Sequence, residues 1–293
     1  MKKILLGLFI ISALIFVGCG DDASTESENV AESETKKEAK KPVKNLVKKD
    51  ETMVAANGRE VYIKGYMPDD KEKHPAVILS HGYNGCHADF TNECIYYAQN
   101  GFVAYALDFC GGSTKSKSTG KSTDMTIFTE KEDLLAVFDY VSKLEYVDSE
   151  NIYLFGGSQG GLVTTLAAEE LVDKVKGIAL YYPALNIPDD WRNNYKTEEE
   201  IPEVSDFWGL QLGKGFFTSI RDFYTFDNIG KFSKKVLIIQ GDKDTIVQVS
   251  VAERAANHYC NAELVILPGE GHGFTPAAGT IAMEKVLQFM QGK

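Results

Sequence analysis

Asn151-Ile152-Tyr153-Leu154-Phe155-Gly156-Gly157-Ser158-Gln159-Gly160-Gly161 is the stretch that decides how this 293-residue chain folds. Its first half is β-branched and aromatic, its second half is a glycine cluster, and residues 162–171 continue as a helix-like run. That pattern places Ser158 where a strand turns sharply into a helix. A serine at such a tip takes a left-handed backbone and lifts its hydroxyl clear of the sheet. Only small residues fit two places on either side, and Gly156 and Gly160 supply them. A G-x-S-x-G elbow presents a nucleophile, but the same letters also occur in ordinary Gly-Ser turns, so the rest of the chain has to decide.

Outward from the elbow, short apolar runs alternate with helix-compatible ones. Residues 53–56 and 60–63 flank Asn57-Gly58 and read as a β-hairpin on an antiparallel edge. Residues 76–80, 102–107, 175–181, 236–240 and 264–267 read as strands, the first of them apolar throughout as for a strand buried on both faces. Helices are expected at 87–100, 130–144 and 281–291. The alternation predicts an α/β class chain with a mostly parallel, doubly wound sheet over residues 51–293. In such sheets the site lies at the carboxyl ends of the strands.

Three further elements stand at those ends. His81-Gly82-Tyr83-Asn84-Gly85 follows the strand at 76–80, and the backbone N–H of Tyr83 can join that of Gln159 as an oxyanion hole. His81 precedes that loop and reads as a hydrogen-bonded packing residue. Gly241-Asp242-Lys243-Asp244-Thr245-Ile246-Val247 and Pro268-Gly269-Glu270-Gly271-His272-Gly273-Phe274 follow the strands at 236–240 and 264–267. Ser158 is a weak nucleophile, His272 would take and return its proton, and a carboxylate would orient the imidazole. Asp242 and Asp244 are both near the strand end. Asp244 is better placed to reach the histidine loop, and Asp242 to bond the turn backbone.

Together these motifs, in the chain order Ser, Asp, His, resemble the α/β-hydrolase family over residues 51–293. His81 to Gly85 and the Gly-x-Ser-Gln-Gly-Gly at Gly156 to Gly161 look most like bacterial feruloyl and cinnamoyl esterases. Gly-Asp-x-Asp-x-x-Val at Gly241 to Val247 and Gly-x-Gly-His at Gly269 to His272 match the family's acid and base motifs, which assigns Asp244. The resemblance implies an α/β-hydrolase fold with a lid insertion after the sixth core strand, at about 183–228. It implies cleavage of carboxylic esters through an acyl-serine, without cofactor or metal. Trp191, Trp208, Phe216 and Phe217 are candidates to line the substrate pocket. Feruloyl esterases place polar side chains in this insertion, whereas Gly213-Lys214-Gly215-Phe216-Phe217 offers no hydroxyl partner; the expectation is therefore a broader esterase of short or medium acyl or plain aryl esters. Amide or peptide hydrolysis, as in serine aminopeptidases, and a non-catalytic binding lipoprotein are the alternatives.

A net charge of −11 argues against a nucleic-acid partner and leaves a small-molecule ester as the expected one. Lys2 and Lys3 precede an apolar run at 4–17 that ends in Phe16-Val17-Gly18-Cys19. This resembles a bacterial lipobox, which implies a signal peptide at 1–19, acylation of Cys19 and export to the outer face of the cell membrane. Residues 20–50 are poor in apolar side chains and read as a disordered tether. Cys86, Cys94, Cys110 and Cys260 allow three disulfide pairings, and their spacing selects none. It also lacks a metal-ligand pattern. Nothing in the sequence sets the oligomeric state.

Overall fold

The structure is a computed structural model that describes residues 47–293; Cys19 and the rest of the expected signal and tether up to residue 46 lie outside the described residues. Strands β1 (Val47–Ala56) and β2 (Arg59–Pro68) form the expected hairpin. Asn57 and Gly58 both have positive φ, 47° and 82°, as a tight two-residue turn requires. β1 begins at Val47 rather than 51, so the domain takes in the last residues assigned to the tether. Lys48, Lys49, Asp50 and Glu51 have a tether's composition, yet they lie on an edge strand whose pairing runs from Val47 with Pro68 to Ala56 with Arg59. Asp50 accepts the Tyr105 hydroxyl at 2.7 Å.

Strands β3 (His74–Ser80), β4 (Val103–Leu107), β5 (Val147–Gly157) and β6 (Gly177–Tyr181) follow in the chain. After them come a separate small hairpin, β7 (Val204–Phe207) and β8 (Leu210–Gly213), and then β9 (Lys235–Gly241) and β10 (Ala262–Leu267). The main sheet has eight strands in the order β1-β2-β4-β3-β5-β6-β9-β10. Its first two pairings are antiparallel and the remainder parallel. Because side chains alternate along each strand, the sheet feeds two cores. Ala76 and Ile78 face one, with helices α2 (Ile127–Val141), α3 (Gln159–Glu170) and α6 (Val249–His258); Val77 and Leu79 face the other, with α1 (Thr91–Gln99) and α7 (Pro276–Met290).

Two helices begin earlier than their apolar periodicity indicates, because caps set their starts. The Thr126 side chain accepts the N–H of Thr129 at 3.0 Å, which starts α2 before residue 130. Thr275 caps α7, and Pro276 occupies its first position, where a missing N–H costs nothing. The stretch at 183–228, expected as a lid insertion, contains α4 (Ile187–Asn194), the β7–β8 hairpin and α5 (Lys214–Ile220).

The junction of β5 with α3 sits mid-sheet, and its packing tolerates only glycine. A Cβ on Gly156 would lie 2.2 Å from the carbonyl oxygen of Gly160, and one on Gly160 would lie 2.3 Å from the carbonyls of Ser80 and His81. These are backbone atoms that cannot step aside. Gly279, by contrast, stands in α7 with open space where a Cβ would go. Gly156→Ala and Gly160→Ala should each lower the thermal unfolding midpoint by several degrees or prevent accumulation of folded protein. Gly279→Ala should raise stability by about 0.5–1 kcal/mol in chemical denaturation. Equal effects at the three positions would contradict this account of the junction.

Candidate active site

Ser158 has φ 54° and ψ −120°, the sharp conformation expected for a strand-to-helix tip. Four backbone hydrogen bonds hold it. Its N–H donates to Tyr181 O at 2.9 Å, and its carbonyl accepts from Gly161, Leu162 and Ala184 at 2.9, 3.3 and 3.0 Å. The hydroxyl is thereby presented at the carboxyl end of the sheet, facing the loops that follow β9 and β10.

From the second of those loops His272 reaches the serine, with Nε2 2.9 Å from Ser158 Oγ. Its Nδ1 lies 2.8 Å from Asp244 Oδ2. The Asp244 carboxylate also accepts the N–H groups of Ile246 and Val247 at 2.8 and 2.9 Å, and Gln240 Nε2 at 3.0 Å. With four donors around one buried carboxylate its orientation is fixed, and it fixes the imidazole in turn: Nδ1 donates, and the Nε2 lone pair faces the serine hydroxyl. Asp242 makes no hydrogen bond to the ring. It accepts the N–H of Gly269 at 2.6 Å and so ties the two loops together. Tyr182 was not singled out from sequence, yet its ring packs 4.4 Å from that of His272, centroid to centroid. Only its position directly after β6 could have marked it.

The loop after β3 is held from behind. His81 is buried; its Nε2 accepts the N–H of Phe109 at 3.1 Å, so its Nδ1 carries the proton and donates to Gly82 O at 2.7 Å. Gly85 N–H donates to the same carbonyl at 3.1 Å. A trans peptide points its C=O and N–H in opposite directions, so pinning Gly82 O aims the N–H of Tyr83 the other way. Gly82 packs against Ser158: a Cβ on it would lie 3.1 Å from the serine Cβ. Gln159, first residue of α3, has a free N–H by the rule that a helix leaves its first donors unpaired. Among the described residues neither the Tyr83 nor the Gln159 N–H donates to a protein acceptor.

A cavity of about 280 Å³ opens beside Ser158. Tyr83, Trp191, Phe207, Trp208 and Phe216 give it aromatic walls, and Asn186, Asp190 and Asn194 from α4 and its cap give it polar ones. Phe217 is not on its wall. It is buried behind, packed edge-on against Trp191 and Tyr195 at 4.7 and 5.3 Å, because its position on α5 turns it toward the core. Phe223 and Phe226 pack against Phe128 and the Arg254 guanidinium, and Tyr224 lies against the Arg192 guanidinium. A larger open groove of about 840 Å³ lies at the opposite end of the sheet, near the starts of β5, β6 and β9, and is remote from Ser158.

The four cysteines of the described residues are free, with Cys260 exposed and the others buried. Although the sequence spacing suggests no ligand cluster, Cys86, His87 and Asp108 come together at the ends of β3 and β4. Asp108 is already engaged there, accepting from His87 N, His87 Nδ1 and Lys117 N at 2.6, 2.8 and 2.8 Å.

Residues 88–293 match the family described as Peptidase_S9, the prolyl oligopeptidase family. The chain is similar to a solved structure of Est1E from Butyrivibrio proteoclasticus with ferulic acid bound, at 29% identity and a TM-score of 0.74, covering 82% of this chain and 98% of that one. An acetyl xylan esterase from Paenibacillus sp. R4 shares the fold, with a TM-score of 0.66, 19% identity and 86% of each chain covered. The uncharacterised protein YcjY of Escherichia coli (strain K12) is 30% identical over 142 residues, 46% of this chain and 45% of that protein. The chain spans about half the length of the curated relatives it matches. The family match covers most of the chain and includes the elbow, the Asp244 loop and the His272 loop; the chain belongs to the prolyl oligopeptidase family and has the α/β-hydrolase fold.

Proposed function

We propose that the protein is a serine hydrolase that cleaves carboxylic esters, with an aromatic acyl group bearing a ring hydroxyl as its preferred substrate class. The observation that carries this reading is the Ser158–His272–Asp244 hydrogen-bonded line opening into a cavity with both aromatic and polar walls. In the proposed reaction His272 Nε2 takes the Ser158 proton as Oγ attacks the ester carbonyl. The oxygen that gains charge is met by the N–H groups of Tyr83 and Gln159, each worth about 2.7–4 kcal/mol in such sites. Collapse breaks the C–O bond to the alcohol, which leaves with the proton from His272. Water then attacks the acyl-serine as His272 takes its proton, and collapse breaks the bond to Ser158 Oγ, which regains that proton as the carboxylic acid is released.

The preference for a hydroxyl revises the expectation drawn from Gly213 to Phe217. Of that segment only Phe216 reaches the cavity, whereas α4 brings polar groups that its sequence did not advertise. Asn186 Nδ2 donates to Asp190 Oδ2 at 2.5 Å, and Asn186 Oδ1 is buried without a partner among the described residues. A phenol donor would satisfy either acceptor. The ferulic acid in the similar Est1E structure supports the same class. The segment at 183–228 would then serve as the lid over the acyl group. Peptide hydrolysis is the second reading, favoured by the family's name, and the same serine chemistry would serve it. Attachment to a membrane through an acylated Cys19 is proposed on the lipobox resemblance; among the described residues no helix is long and apolar enough to cross a membrane.

On this reading Asp244→Asn reduces kcat by about 10³-fold or more, since the ring loses its orienting acceptor, while Asp242→Asn keeps most of the turnover. Steady-state kinetics showing the reverse order would reassign the acid. In a panel of ferulate, cinnamate and butyrate esters of one alcohol, set beside aminopeptidase substrates, ferulate should lead cinnamate by about tenfold in kcat/KM, and Asp190→Ala should erase that lead. Equal rates for ferulate and cinnamate would remove the hydroxyl from the argument, and faster amide cleavage would favour the peptidase reading. Cys19→Ala should leave the membrane fraction and incorporate no palmitate; unchanged partition would reject the anchor.

A further inference from the structure

We propose that Glu130 is a positioning residue of the oxyanion site: from α2 it holds the Gln159 side chain, and with it the backbone N–H at the start of α3. This rests on the serine-hydrolase reading above. Glu130 and Gln159 are 1% and 2% exposed, and Gln159 Nε2 donates to Glu130 Oε2 at 2.8 Å. The bond joins the first turn of α2 to the first residue of α3, whose backbone N–H faces the reacting oxygen. Gln159 is thus gripped by its side chain on one face while it presents its main chain on the other.

The other carboxyl oxygen of Glu130, Oε1, has no partner among the described residues. It lies in a tight space, since a Cβ on Gly112 would come within 3.2 Å of it and 2.7 Å of the Phe109 Cβ. One amide donor does not compensate a carboxylate at that depth. Burial accordingly pushes Glu130 up to about 8, with Asp133 on the same helix adding to the shift. That value leaves the group mostly protonated at neutral pH.

The neighbouring titratable groups are Asp133, Cys110 and Tyr83, and burial raises all three. Asp133 is paired with Arg59 from β2 at 2.9 Å, the Cys110 thiol after β4 is pushed up to about 12 by burial, and burial raises the Tyr83 phenol on the oxyanion loop above its ordinary value. Above the Glu130 midpoint a negative charge therefore appears behind the Gln159 donor, where the transition state also builds negative charge. Like charges raise the barrier, and because the ester carbonyl is neutral before attack the effect falls on kcat rather than KM.

The test measures kcat and KM for a 4-nitrophenyl ester from pH 6 to 10 in the wild type, Glu130→Gln, Glu130→Leu and Ser158→Ala. Wild-type kcat should fall by about tenfold across a midpoint near pH 8 with KM little changed. Glu130→Gln should rescue most of the neutral-pH kcat and lose the alkaline fall, whereas Glu130→Leu, which cannot hold Gln159, should have low kcat at every pH. Should the leucine variant fail to fold, the glutamine variant decides alone. A Glu130→Gln profile with the wild-type alkaline fall, or a wild-type profile flat to pH 9.5, would overturn the proposal. Turnover that survived Ser158→Ala would sink the serine-hydrolase reading instead, so the two failures are distinguishable.

Discussion

A positive φ at Ser158 is the constraint on which the other features depend. A non-glycine residue held there costs about 1–3 kcal/mol, so it persists only where its surroundings over-determine it. Four backbone hydrogen bonds do so, two of them from outside the helix: Tyr181 at the end of β6 and Ala184 just beyond it. The sheet must bring β5 beside β6, and α3 must leave within one residue of the strand. Gly156 and Gly160 follow from that, since the turn brings the backbone of α3 against β5 and against the end of β3. The close approach of Gly160 to the Ser80 and His81 carbonyls also sets where the loop after β3 begins.

Tyr83 couples that loop to the cavity. Its N–H is aimed by the pinned Gly82 carbonyl, while its phenol donates to Phe207 O at 2.7 Å and Leu210 O at 3.3 Å in the β7–β8 hairpin. Asn84 Nδ2 adds a bond to Trp208 O at 3.4 Å. The hairpin tip, Trp208-Gly209, has φ 46° and 79°, which stacks Trp208 on Phe207 and leaves it 62% exposed at the cavity mouth. One side chain thus links the position of the proposed oxyanion donor to that of the aromatic wall. An acyl group that pressed on the wall would bear on the donor as well.

Much of this geometry is legible because Ser158, Asp244 and His272 each sit just beyond the end of a strand, where local sequence encodes both the strand and its turn. Glycines that must be glycines are visible as letters, and so is the order Ser158, Asp244, His272. The choice of Asp244 over Asp242 came from reach across the loop, which a two-residue difference decides. What stayed hidden depends on partners distant in sequence. The start of β1 looks like tether until Val47 pairs with Pro68. Glu130 looks like an ordinary first-turn acid on an amphipathic helix until Gln159 covers it. Asp190 and Asn186 carry no signal in the sequence, because only the placement of α4 over the cavity brings them to its wall, and Phe217, a pocket candidate by sequence, is turned inward by α5. Likewise, Cys86, His87 and Asp108 meet only because β3 and β4 are neighbours.

The most direct measurement is the site and stoichiometry of labelling by a fluorophosphonate, read by intact mass and peptide mapping. Its phosphorus takes the place of the attacked carbonyl carbon, so the reagent asks whether this hydroxyl, with this imidazole beside it and these two N–H groups ahead of it, acts as a nucleophile. The account predicts one adduct per chain, on Ser158, formed far more slowly in His272→Ala. Folded protein left unlabelled, or labelled at another residue, would contradict it.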